Sequence, residues 1–372
     1  MTTNSLIQLE ILGQSIWLDY IKRDLFKNGK FKQLISDYGL RGMTSNPSIF
    51  EKAISESDDY NQDIKKMSDE KKELNTIYEA LTQKDVQDAA DAFRALYDET
   101  DGQDGYVSLE VNPHLAHDTN GTIIEARHLW HALNRPNVFI KVPATKAGLP
   151  AITQLISEGI NVNVTLLFGL PRYKEVAQAY MAGIEARISL GKPVKKIASV
   201  ASFFLSRIDV LLDPIFTKYA VKQAEKLTLA KELQGQIAIA SAKMAYQIYD
   251  TLFKSDRFKK LEAKGAHVQR LLWASTSTKN PDYSDIKYVE ALIGPETVNT
   301  LPLETIKAYR DHGNPELRLT LNLDKAKKYF QQLSEFDIDI DALTQQLENE
   351  GVDKFAKSYD QLMETLKNKI TE

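Results

Sequence analysis

Cysteine is absent from all 372 residues. Disulfides, thiolate metal sites and a cysteine nucleophile are therefore excluded. Long apolar runs are missing too: nothing approaches the ~18–20 consecutive apolar residues that a membrane-spanning helix needs, and no membrane partner is expected. Nor is there an excess of either charge. The 47 Lys and Arg against 51 Asp and Glu leave a formal charge of −4, without the strongly basic surface that nucleic-acid binding uses. Residues 1–15 carry Glu10 and only short apolar pieces, not the basic stretch and apolar core of a secretory signal. The expected location is the cytoplasm, so Asn120-Gly121-Thr122 and Asn163-Val164-Thr165 say nothing about glycans. With 43% hydrophobic and 26% charged residues, the composition is that of a folded globular chain, not a disordered one.

What the chain does have is alternation. Short apolar runs at 15–20, 40–45, 106–111, 138–143, 161–168, 197–203, 268–275 and 297–301 read as strands. Helical periodicity fills the intervals, for example at 84–97, 123–133, 172–190 and 227–253. Thr122 with Glu125 has the spacing of a capping box, Pro171 opens a helix, and Gly191-Lys192-Pro193 closes one. Eight strands alternating with helices predict an α/β fold, a (β/α)₈ barrel, over an open doubly wound sheet. No linker or fixed-period repeat divides the chain, so one barrel domain over 1–372 is expected. It carries a helical insertion at 51–81, an excursion at 209–267 and charged helices at 323–372. The tail reads as helices packed on their own barrel, with a covering or subunit-contact role as the alternative; a homodimer is compatible with it.

Side chains alternate along a strand, and barrel strands point one face inward. Val162, Val164 and Leu166 share a face, as do Val138, Ile140 and Val142, and Val107, Leu109 and Val111; these suit the helix layer. The opposite faces bring Asp19, Glu110, Lys141, Asn163 and Thr165 into the barrel, toward the C-terminal strand ends where such barrels hold their active sites. Trp17 shares the Asp19 face and belongs to the barrel floor. Buried charge is costly unless paired or used, so two readings stand: a structural ion-pair network of Lys141, Asp19 and Glu110, or catalysis. Burial disfavours a charged ammonium and frees an amine as a nucleophile. Such an amine condenses with a carbonyl to an imine, an electron sink that lets a neighbouring C–C bond break without a metal. Two carboxylates in different surroundings can divide acid and base work, while asparagine and threonine hold hydroxyl groups.

The motifs on these strands are Trp17-Leu18-Asp19, Gly42-Met43-Thr44-Ser45-Asn46-Pro47-Ser48, Ser108-Leu109-Glu110-Val111, Ile140-Lys141-Val142-Pro143-Ala144-Thr145, Asn161-Val162-Asn163-Val164-Thr165-Leu166-Leu167-Phe168, Ser202-Phe203-Phe204-Leu205-Ser206-Arg207 and Leu272-Trp273-Ala274-Ser275-Thr276. Together, in order over about 11–311, they make the sequence resemble the transaldolase family, in its longer bacterial-type subgroup. The resemblance implies transfer of a dihydroxyacetone unit between sugar phosphates in the pentose phosphate pathway, without metal or organic cofactor. It implies Lys141 as the Schiff-base lysine and Asp19 as the base at the C4 hydroxyl. Glu110 would work through a water with Thr165, and Asn46 and Asn163 would hold the three-carbon unit. Arg207, with Ser202 and Phe204, fits the family's Ser-x-Phe-x-x-Arg phosphate pattern; an arginine fork suits phosphate. The family's second arginine is missing from Ala274-Ser275-Thr276-Ser277-Thr278-Lys279-Asn280, leaving Lys279 or Ser277 to replace it. The rival functions are a fructose-6-phosphate aldolase and a non-catalytic sugar-phosphate-binding protein.

Other features read plainly. Asn46 before Pro47 fits a helix N-cap as well as a ligand. The pairs His114/His117 and His128/His131 lack a His-Glu-x-x-His pattern, and no metal is expected. Asp118-Thr119-Asn120-Gly121 reads as the loop before a capped helix, Lys192, Lys195 and Lys196 as a solvated cluster, and Trp130 and Trp273 as core.

Overall fold

The computed structural model describes residues 4–27 and 29–371. Met1–Thr3, Asn28 and Glu372, which belong to the 1–15 stretch read as lacking a secretory signal and to the single domain expected over 1–372, lie outside them. Eight strands close into one parallel barrel in sequence order: β1 (Gln14–Asp19), β2 (Leu40–Thr44), β3 (Tyr106–Glu110), β4 (Val138–Pro143), β5 (Val162–Leu167), β6 (Ser199–Phe204), β7 (Arg270–Ala274) and β8 (Thr297–Leu301). Helices follow the strands, as the alternation predicts for a (β/α)₈ barrel.

The interior is layered. At the N-terminal end, Arg270 bonds Ser15 Oγ (2.9 Å) and Asp104 Oδ1 (2.9 Å), and Ser15 Oγ donates to Asp104 Oδ2 (2.8 Å). Above this ion pair lie Trp17, Phe139 and Tyr106, with Phe139 stacked on Tyr106 at 4.3 Å and on Trp17 at 6.0 Å. Gly42 makes room for the indole: a Cβ there would stand 2.5 Å from Trp17 Cε2. This aromatic plug, which holds Trp17 one layer above the floor expected for it, separates the Arg270–Asp104 floor from the polar residues at the other end.

Some local expectations fail. The helix Thr119–Leu133 starts before the expected capping box. Asp118 is its N-cap, accepting from Gly121 N at 3.0 Å, while Thr122 Oγ1 donates to Leu115 O and Glu125 Oε1 accepts from Asn112 N. The short Asp side chain satisfies the first-turn N–H groups before Thr122 is reached. In β5 the alternation breaks at a bulge between Val164 and Leu167. Leu166 adopts φ 58° and lies against Gly351, whose Cβ position is 3.1 Å from Leu166 Cδ2, instead of joining Val162 and Val164. Bulges of this kind re-aim side chains beside active sites.

The excursion after β6 holds more than two helices: Ser206–Lys222, Leu227–Leu233, Ile237–Phe253 and Asp256–Glu262. Expected as one stretch, 227–253 breaks at Gly235, whose φ of 66° suits glycine. The tail forms helix Leu323–Gln332 and the 32-residue helix Ile340–Thr371. In the latter Phe355, Leu362 and Leu366 are buried at helical spacing. It runs across the C-terminal mouth of the barrel, touching helix Pro47–Ser55 after β2, the turn Pro113–Leu115 after β3, β5 itself, and helix Ser206–Lys222 after β6. Arg172–Glu348 (3.1 Å), Ser48–Ser358 (2.7 Å) and His114–Asp360 (2.7 Å) fasten it. Among the described residues no helix is long and apolar enough to cross a membrane.

Candidate active site

Register explains why the inward residues meet. Glu110 on β3, Lys141 on β4 and Asn163 on β5 are Cα partners across adjacent strands, and Pro143 pairs with Thr165 one step higher. On the other side Asp19 of β1 pairs with Thr44 of β2. Neighbouring parallel strands lie ~4.8 Å apart, so partners on one face touch.

Lys141 is the centre. Its Nζ lies 3.0 Å from Glu110 Oε2 and donates to Ser45 O at 3.0 Å. The two side chains are only 6% and 3% exposed. Asp19 makes no ion pair with Lys141; it accepts from Thr44 Oγ1 at 2.7 Å, which also bonds Thr300 Oγ1. The closed three-residue ion-pair network therefore does not form. Burial pushes the Asp19 carboxyl above its usual range, against the Thr44 hydrogen bond and the Lys141 charge, while Glu304 adds to the rise. Burial also raises Glu110, opposed by Lys141. Glu110 Oε1 and Thr165 Oγ1, both buried, have no hydrogen-bond partner in the protein.

A cleft of about 320 Å³ opens above these groups, lined by Asp19, Asn46, Lys141, Thr165, Ser202, Phe204, Arg207, Ser277 and Lys279. That volume is at the small-ligand end of binding sites. Glu110 and Asn163 stand behind its wall. Asn163 donates to Ser108 Oγ (3.0 Å) and accepts from Ser202 Oγ (2.7 Å), so its amide is already engaged. Asn46 is the N-cap of helix Pro47–Ser55, its Oδ1 accepting from Ile49 N at 3.0 Å. Arg207 starts the helix after β6 with its guanidinium 5.6 Å from the Phe204 ring and 6.0 Å from Phe168. Lys279 Nζ donates to Ser277 Oγ at 2.7 Å, so the two rival replacements form one unit. A larger open depression of about 810 Å³ beside Asp213 and Tyr283 contains none of the inward barrel residues.

Several residues of the cleft were not singled out from the sequence: Thr44 and Thr300 beside Asp19, Lys52, Glu304, and Lys354 and Phe355 from helix Ile340–Thr371. Phe355 places its ring 5.7 Å from Lys141 Nζ. The alternation Gly42, Thr44 on β2 was a usable signal for Thr44; nothing local marked Lys354. The histidines bond elsewhere, His128 to Glu79 and His131 to Arg127 O. Among the described residues no group of three His, Asp or Glu could hold a metal ion.

Comparison with known proteins agrees with this geometry. The family model described as Transaldolase/Fructose-6-phosphate aldolase matches residues 16–366. The chain is 49% identical to a transaldolase of Trichodesmium erythraeum, covering 100% of this chain and 98% of that protein. It is 45% identical to transaldolase 2 of Nostoc punctiforme, with coverage of 100% and 98%. A transaldolase of Mycobacterium bovis is 44% identical over 362 residues, 97% of this chain and 95% of that protein. On an eight-stranded barrel with a buried lysine–glutamate pair under a cation-rimmed cleft, these likenesses run from the first strand to the last helix: the chain belongs to the transaldolase/fructose-6-phosphate aldolase family.

Proposed function

We propose that this chain is a transaldolase, a transferase that moves a dihydroxyacetone unit from a ketose phosphate to an aldose phosphate through an imine on Lys141. The donors are sedoheptulose 7-phosphate or fructose 6-phosphate, and the acceptors glyceraldehyde 3-phosphate or erythrose 4-phosphate, as in the non-oxidative pentose phosphate pathway. The observation that carries this is the Lys141–Glu110 pair, buried beneath a cleft whose opposite wall holds Asp19.

The raised Glu110 accepts a proton from the Lys141 ammonium, freeing the amine to attack the C2 carbonyl. The resulting carbinolamine loses water as Glu110 returns the proton, with Thr165 Oγ1 and Glu110 Oε1 available to bond that water. Asp19 then takes the proton of the C4 hydroxyl, the C3–C4 electron pair flows into the imine, and the aldose leaves. Ser45 O fixes the amine's direction, and the Phe355 ring covers it. The bound enamine attacks an acceptor aldehyde and the steps reverse. Asn46 and Ser202, the latter held in place by Asn163, bind the retained hydroxyls, and Arg207 with Lys279 and Ser277 holds the phosphate.

Borohydride reduction in the presence of fructose 6-phosphate tests this. One dihydroxyacetone-sized adduct, mapped to Lys141 and absent from Lys141→Ala, is the expected result. No adduct on folded wild-type protein removes the proposal. Abundant free dihydroxyacetone without any acceptor aldehyde would make the chain an aldolase instead.

A further inference from the structure

Three cations line one end of the cleft from three separate elements: Arg207 after β6, Lys279 after β7, and Lys354 on helix Ile340–Thr371. Among the described residues none of the three has a carboxylate within ion-pair distance. Lys279 bonds only a hydroxyl, and Arg207 only faces aromatic rings. For Lys354 this is unusual. Glu350 precedes it by four residues on the same helix, the spacing and order that favour a surface ion pair. Yet Glu350 accepts from Gln346 instead, at 2.7 Å. The helix is also pressed toward Arg207. Gly351, one turn before Lys354, has its Cβ position 3.5 Å from Arg207 Nη1. Arg207, then burial, then Lys279 hold the Lys354 ammonium below its usual range, so the three charges feel one another. Glu350 acts on Arg207 from beyond ion-pair distance, but like charges gathered without a direct ion pair are unfavourable, and a dianion among them would relieve all three.

We propose that the phosphate subsite is shared between barrel and closing helix, with Lys354 as a specificity-determining phosphate ligand beside Arg207 and Lys279. This rests on the sugar-phosphate reading above. It makes the last helix a reader of the substrate as well as a cover: a phosphorylated sugar bridges helix and barrel, and an unphosphorylated one does not.

The test uses Lys354→Met, Lys354→Arg, and Lys357→Met as a same-helix control whose residue does not line the cleft. Inorganic phosphate binding is measured by calorimetry at fixed ionic strength, and kcat and KM are measured for fructose 6-phosphate and for fructose. Lys354→Met is expected to weaken inorganic phosphate and raise KM for fructose 6-phosphate by roughly tenfold, the effect of one lost charge-assisted hydrogen bond. The loss in kcat/KM should be several-fold smaller for fructose, and Lys354→Arg should keep most of the affinity. Unchanged phosphate affinity and KM would overturn the proposal. Equal losses for both sugars would also overturn it, reducing Lys354 to helix packing. Borohydride trapping of dihydroxyacetone on Lys141 needs no phosphate, so its failure in wild type would refute the imine chemistry while a Lys354-dependent phosphate site would still stand.

Discussion

Asp19 and Glu110 are both driven up by burial, but their neighbours differ, and the difference divides their work. Glu110 faces the amine directly, whereas Asp19 is held by Thr44 and feels Glu304 across the cleft. As the base at a hydroxyl, Asp19 acts only when ionised, so the rising limb of kcat/KM against pH follows it. Thr44 donates to the ionised form and lowers this limb; Thr44→Val should move it to higher pH. Glu304 opposes ionisation; Glu304→Gln should move it to lower pH. Steady-state pH profiles of the two variants check this, and shifts of the same sign would separate the limb from Asp19. These inward residues were legible because strand alternation assigns Asp19, Glu110, Lys141 and Thr165 to one face. Leu166 was not, since a bulge adds a residue that no period-two pattern shows. Arg270 and Asp104 escaped notice because their pairing joins the start of β7 to a loop before β3, a long-range contact with no local mark.

The closing helix Ile340–Thr371 was legible as a helix with a buried stripe, but not by what buries it. Periodicity gives a face, and Lys141 and Lys354 are far apart in sequence; only the closed barrel brings them to one cleft. Its anchor is the Arg172–Glu348 pair, with side chains 9% and 6% exposed. Removing Arg172 leaves the buried Glu348 carboxylate with only the Gln345 amide to donate to it, and breaking a buried pair in this way costs about 3–5 kcal/mol. Arg172→Met should therefore loosen the helix as a unit. Hydrogen exchange of amides within 340–371 should accelerate by roughly a hundredfold, while the β-strands keep their protection. Turnover should fall with it, since Phe355 leaves the amine. Uniform acceleration across the barrel would mean that the pair holds the whole fold and not the cover.

At the scale of the molecule, the barrel is a stack: ion pair at the floor, aromatic plug in the middle, chemistry at the top. Gly42 is the narrow point of the plug. Gly42→Ala drives a methyl group against the Trp17 indole, which is 0% exposed and has no room to retreat. Overpacking of this kind costs about 1–3 kcal/mol. Denaturant unfolding should show a lowered midpoint with an unchanged slope. The imine should still form in the folded fraction, because the plug lies a layer below Lys141.

The hydrogen bond between Ser48 and Ser358 spans 310 positions of the chain. At ribosomal speeds of about 5–20 residues per second, roughly 15–60 s separate the emergence of its two ends. Lys141 and the closing strand β8 emerge within that interval, so over its last part the nascent polypeptide carries an unroofed mouth, without the Phe355 ring over the amine and without Lys354 at the rim. Synthesis thus imposes an order of events in which the reactive lysine is made long before the surface that encloses it, and competence arrives late and abruptly.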